Sequence, residues 1–144
     1  MKKNKPIYLL LSVMLALGII CGNFSTAFAT DDMESGISPK MSYISTISPY
    51  LSISGTMASL SCEVRGISGT TTKITVTGTL QRYVSGSWVN VSSTAQTEEY
   101  YRMTYSRNTS VASGYSYRAK YTVKAYAGSA YEIRTVYSKT VTLS

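Results

Sequence analysis

From Tyr43 onward the apolar residues of this chain recur every second position, the period of a half-buried strand rather than of a helix. Ala58, Leu60, Cys62 and Val64 alternate with Ser59, Ser61, Glu63 and Arg65. Ile74, Val76, Gly78 and Leu80 alternate with Lys73, Thr75, Thr77, Thr79 and Gln81. Tyr117, Ala119, Tyr121, Val123 and Ala125 alternate with Arg118, Lys120, Thr122 and Lys124. Such stretches bury one face and wet the other, which requires two layers of antiparallel sheet to close a core.

Turn residues divide the pattern into seven strands. Strands are predicted near Tyr50–Ser54 after Pro49, Ala58–Arg65, Lys73–Gln81, Trp88–Ser93, Tyr100–Ser106, Tyr117–Ala125 and from Tyr131 to the end, separated by Gly55, Gly66–Thr70, Ser85–Ser87 and Ala127–Ser129. In the fourth, Val89 and Val91 share a face, so Trp88 stands outside the core unless a bulge re-aims it. In the fifth, Tyr101, Met103 and Tyr105 share a face. In the last hairpin, Ala125 opposite Tyr131 gives a three-residue loop, puts Lys124 opposite Glu132, and turns Tyr131, Ile133, Thr135, Tyr137, Val141 and Leu143 inward. Lys139 then falls on the inward parity, where a bulge or fraying is expected.

The first residues carry a different signal. Lys2, Lys3 and Lys5 precede an apolar run from Ile7 to Cys21, and Ala27-Phe28-Ala29 offers a small-x-small exit. The run is shorter than the ~20 residues of a bilayer span. Residues 1–29 therefore read as a cleavable signal peptide and predict a secreted protein with no stable membrane insertion after cleavage. Ile20 before Cys21 speaks against lipidation, which favours a small residue there. Residues 30–42, with Asp31, Asp32 and Glu34, read as an acidic flexible leader, and 43–144 as the β domain.

Removing Lys2, Lys3 and Lys5 lowers the net charge from +7 to +4, with no Lys/Arg cluster to track phosphates, so nucleic acid is not an expected partner. Cys62 is the single cysteine beyond the signal peptide, so packing rather than an internal disulfide must hold the fold.

Val111-Ala112-Ser113-Gly114-Tyr115-Ser116-Tyr117 resembles the strand entry of fibronectin type III domains, whose tyrosine hydroxyl bonds back to the backbone at a corner. Ser113 stands where that pattern has proline. The resemblance implies an immunoglobulin-like antiparallel β-sandwich, with structural roles for Tyr117 and Gly114. Cys62 lies where one half of an immunoglobulin disulfide would sit, but Ala119 occupies the other position. Ser48-Pro49-Tyr50-Leu51, Gly69-Thr70-Thr71-Thr72-Lys73-Ile74, Ser85-Gly86-Ser87-Trp88 and Lys124-Ala125-Tyr126-Ala127-Gly128-Ser129 resemble stretches of small secreted proteins of Gram-positive bacteria. That similarity implies export and fold class, and brings no catalytic residues.

The chain has no histidine, which excludes Ser-His-Asp and Cys-His catalysis and the commonest metal ligand. Beyond the leader the carboxylates are Glu63, Glu98, Glu99 and Glu132, and adjacent Glu98 and Glu99 would face opposite ways on a strand. Neither a glycosidase pair nor a metal set is expected. Cys62, between Leu60 and Val64, reads as a buried thiol. No catalytic residue, metal or cofactor is expected.

The candidate binding residues are aromatic and cationic. Trp88, Tyr83, Tyr100 and Tyr126 fall on outward parities, with Arg82, Arg102 and Arg107 near in sequence. Rings stack on sugars, and guanidinium groups hold carboxylates or phosphates. The expectation is a secreted, non-catalytic module acting at or outside the cell envelope. The first reading of these side chains is that tyrosines merely cover a bare sheet and the specific role stays unassigned. The alternatives are a module that binds a glycan or an anionic wall polymer such as teichoic acid, and a basic antimicrobial or inhibitory factor.

Overall fold

The computed structural model describes residues 42–144. The predicted signal peptide and all but Ser42 of the predicted leader lie outside the described residues. Eight strands follow in order: β1 (Ile44–Ser54), β2 (Met57–Gly66), β3 (Lys73–Val84), β4 (Ser87–Glu98), β5 (Arg102–Ser110), β6 (Tyr115–Ala127), β7 (Ala130–Tyr137) and β8 (Val141–Leu143). They form two antiparallel sheets. The smaller has the order β1-β2-β5; the larger has the order β4-β3-β6-β7, with β8 also pairing β6.

The alternating strands bury the residues their pattern requires. Ala58, Leu60, Cys62 and Val64 of β2 are almost fully buried, as are Ile74, Val76 and Leu80 of β3 and Tyr117, Ala119, Tyr121, Val123 and Ala125 of β6. Large side chains tie the sheets together. The Tyr121 hydroxyl on β6 donates to Tyr50 O on β1 at 2.6 Å. The Tyr105 ring on β5 meets Tyr121 edge-on, centroids 5.8 Å apart, and lies over Gly78 of β3. A Cβ at Gly78 would stand 2.5 Å from that ring, so the glycine makes room for a tyrosine across the core.

Several boundaries move. β1 starts at Ile44 and carries Pro49 within it, which an edge strand tolerates because its outer side needs no donor. β4 runs on to Glu98, with a bulge opposite Leu80 and Gln81. Leu80 faces Ser92 while Gln81 faces Asn90, so Val91 is the extra residue. Trp88 and Asn90 before it, and Ser93, Ala95 and Thr97 after it, thereby share the outer face. β5 begins at Arg102, which leaves Tyr100 in the preceding connection. The β3–β4 loop is Ser85-Gly86, both at positive φ, as a type I′ hairpin requires.

The last hairpin has a different register from the predicted one. Ala127 pairs Ala130, so the loop is the two residues Gly128-Ser129, with Gly128 at φ 63. Ala125 therefore faces Glu132, and Lys124 faces Ile133. One residue of slip turns the whole strand over. Tyr131, Ile133, Thr135 and Tyr137 lie outward, while Glu132, Arg134 and Val136 take the inner side. Glu132 is inside because it has partners there. Its Oε2 accepts from the backbone N–H groups of Ser42 and Tyr43 at 2.9 and 2.8 Å, and Arg134 lies against its Oε1. The predicted seventh strand is also two strands, broken at Ser138–Thr140. The Ser138 hydroxyl accepts from Ala119 N there, and Lys139 is exposed. Val141 and Leu143 return as β8 and pack against the core.

Candidate functional site

The outer faces of the two sheets differ in chemistry. On the smaller sheet the outward positions are mostly Ser and Thr, with Tyr50, Asn108, and Arg65 chelating Glu63 Oε1 at 2.9 and 2.8 Å. On the larger sheet the registers bring Tyr83, Trp88, Tyr126, Tyr131 and Tyr137 to one face with Lys73, Arg118, Lys120 and Lys124. Thr75, Thr77, Thr79, Thr122 and Thr135 fill the middle of that face. Thr79 and Ser93 share a hydroxyl hydrogen bond of 2.8 Å, and Thr75 and Thr97 one of 2.9 Å.

The aromatic groups form two clusters. At one end Trp88 lies 5.2 Å from Tyr83, and the Arg118 guanidinium sits 4.3 Å from the Trp88 ring centroid and 4.4 Å from that of Tyr137. Arg118 Nε donates to Gln81 Oε1 at 2.9 Å, and Gln81 Nε2 donates to Asn90 Oδ1 at 2.9 Å. At the other end Lys124 Nζ lies 3.8 Å from the Tyr131 centroid and 4.8 Å from that of Tyr126. Lys73 Nζ approaches Tyr126 to 4.5 Å and Glu99 to 3.8 Å. Arg118 and Lys124 are six residues apart on β6, or ~20 Å along the strand. Each ring–cation contact is worth ~0.5–1 kcal/mol where partly exposed, so these clusters order the side chains without a large contribution to the fold.

Trp88, Tyr83 and Tyr126 therefore share this face, Tyr126 at the far end from the other two. Tyr100 does not: its ring lies tilted against that of Tyr101 in the β4–β5 connection, centroids 4.5 Å apart. The hydroxyl of Tyr101, hydrogen-bonded to Tyr100 and close to Arg102, ionises more readily than an ordinary tyrosine. Arg102 belongs to the smaller sheet, opposite Arg65 and 5.1 Å from the Tyr101 ring. Arg82 pairs Tyr117 on the inner parity, with its guanidinium over Tyr115 at 4.4 Å. Arg107 is exposed on β5.

Arg118, Gln81, Asn90, Tyr137, Tyr131 and Lys124 complete the clusters, and none of the six stands out as a binding residue from sequence. Arg118, Lys120 and Lys124 do fall on outward parity in the sequence. Only the order β4-β3-β6-β7 places Arg118 between Trp88 and Tyr137.

Elsewhere, a cleft of about 380 Å³ opens between β1 and the β7–β8 break, lined by Pro49, Tyr50, Leu51, Lys139, Thr140 and Val141. A shallower one of about 170 Å³ is lined by Thr46, Ser48, Glu63 and Arg65. Neither gathers two carboxylates. Among the described residues no three His, Cys, Asp or Glu side chains are grouped to hold a metal. Cys62 is buried, and burial pushes its thiol up to about 12, away from the thiolate a nucleophile needs. Tyr117 donates to Ala112 O at 2.8 Å and accepts from Ala112 N at 3.1 Å, while Gly114 takes φ 83 between them.

Comparison of the chain with family models, with curated proteins and with solved structures found no match.

Proposed function

We propose that this chain is an exported, non-catalytic module of immunoglobulin-like, fibronectin type III-like arrangement, acting at or outside the cell envelope. The outer face of its larger sheet binds an extended glycan or wall polymer. The sheet orders β1-β2-β5 and β4-β3-β6-β7 and the Tyr117–Ala112 corner support the arrangement. The observation that carries the binding reading is the asymmetry of the faces. Five aromatics and four cations occupy the larger sheet's outer face, and the smaller sheet's is mostly Ser and Thr.

A flat face with rings at both ends suits a linear ligand better than a compact one. Sugars and polyols present C–H faces that stack on rings, and hydroxyls that the threonine field can meet. Small molecules favour concave sites, and the clefts lie away from this face.

The test is binding of the purified protein to a panel of wall polymers, peptidoglycan and host glycans. One of them should bind, with Trp88→Ala and Tyr126→Ala each weakening it roughly five- to tenfold, the effect of removing one stacking ring. Tyr50→Ala on the other sheet should leave affinity unchanged. Binding that follows Tyr50 and ignores Trp88 and Tyr126 would refute the assignment of the face.

A further inference from the structure

The polymer-binding reading of the larger sheet's outer face is the premise here, and the residues of that face also indicate the chemistry of the ligand. Arg118 is held on three sides. Trp88 and Tyr137 cover its guanidinium at 4.3 and 4.4 Å, and Nε is fixed to Gln81 Oε1. Gln81 is itself buried and anchored to Asn90, so its carbonyl oxygen is committed to Arg118. Among the described residues Nη1 and Nη2 make no hydrogen bond and no ion pair.

The described glutamates also lie away from this group. Glu63 pairs Arg65 on the other sheet, and Glu132 faces the interior beside Arg134. Glu98 and Glu99 lie at the opposite end of the sheet, where Glu99 meets Lys73. A positive charge stacked between rings, with its Nη edge unused and no counter-ion among the described residues, is arranged for an external oxyanion. The guanidinium fork matches two oxygens of one phosphate or carboxylate.

The neighbouring cations set the spacing. Lys120 and Lys124 follow Arg118 on the same outward row of β6. Outward positions on a strand recur at ~6.6 Å, comparable with the phosphate spacing of an extended three-carbon phosphodiester. We infer that the Nη edge of Arg118, between Trp88 and Tyr137, is an oxyanion site for a phosphodiester-linked polymer. The polymer runs along β6 past Lys120 toward Lys124, with Trp88, Tyr137 and Gln81 as positioning residues.

The test measures affinity of the purified protein for poly(glycerol phosphate), polygalacturonate and neutral dextran across a salt series. Poly(glycerol phosphate) should bind best, and more weakly as salt rises. Arg118→Lys keeps the charge and loses the fork, so it should weaken binding roughly tenfold with its salt slope kept. Arg118→Gln should weaken it further and lower the slope by about one. Lys139→Gln, outside the face, should change neither. An unchanged melting temperature for Arg118→Lys separates recognition from folding.

Wild-type affinity of Arg118→Lys would overturn the site. Polygalacturonate bound as tightly as poly(glycerol phosphate) would overturn the phosphodiester assignment. Salt-independent binding of dextran alone would overturn the inference and leave the polymer-binding reading standing. No binding to any of the three, nor to the wider panel, would overturn both.

Discussion

The Tyr117 hydroxyl satisfies both backbone groups of one residue, donating to Ala112 O and accepting from Ala112 N. The ring beneath it is buried at the end of the core, so the bonds tie the β5–β6 connection to β6. Tyr117→Phe keeps the ring and removes the bonds. It should lower stability by about 1 kcal/mol, since exposed Ala112 can turn to water. Urea unfolding with an unchanged slope checks this, and a variant as stable as the parent would show that the corner contributes nothing. Tyr117 and Gly114 were legible at this scale because the motif is local in sequence. Arg118 was legible only as an outward cation, because its partners come from three other strands.

At the scale of elements, β2, β3 and β6 could be read directly, since each alternates without interruption between one buried and one wet face. β7 could not. Both its parities contain apolar residues, Tyr131, Ile133 and Tyr137 on one and Val136 on the other. The choice was made by Glu132 bonding to Ser42 and Tyr43 just before β1, contacts about ninety positions away in sequence. The same slip hid Tyr131 and Tyr137 from the proposed binding face.

β5 shows how an edge can be closed by a side chain. Gln96 of β4 donates through Nε2 to Ser106 O and accepts through Oε1 from Ser106 N, both at 3.2 Å. An amide thus occupies two of the groups that a neighbouring strand would pair. Gln96→Ala frees them and should make the protein self-associate with rising concentration, which sedimentation velocity would detect. A monomer unchanged from the parent at high concentration would mean that this edge needs no guard.

At the scale of the whole molecule, the core holds three side chains whose ionisation burial opposes: Cys62, Tyr105 and Tyr121. Burial raises Cys62 from 9.0 to about 12, and raises Tyr105 and Tyr121 above the ordinary 10.0. The folded state holds these protons more tightly than the unfolded chain. Their contribution is therefore present below the unfolded thiol's pKa of 9.0 and is lost progressively as pH rises from there toward the folded value of about 12. The melting temperature should fall steadily from about pH 9 upward, and a flat profile to about pH 11 would contradict the burial of these groups.

On the proposed function the two faces of the molecule divide its work: the smaller sheet closes the core, and the larger sheet would meet the ligand. Amide chemical-shift mapping of the protein with poly(glycerol phosphate) tests that division most directly. Perturbations concentrated at Gln81, Tyr83, Trp88, Arg118, Lys120, Lys124 and Tyr137 are the expected result. Perturbations concentrated on β1, β2 and β5, with the larger sheet silent, would contradict it.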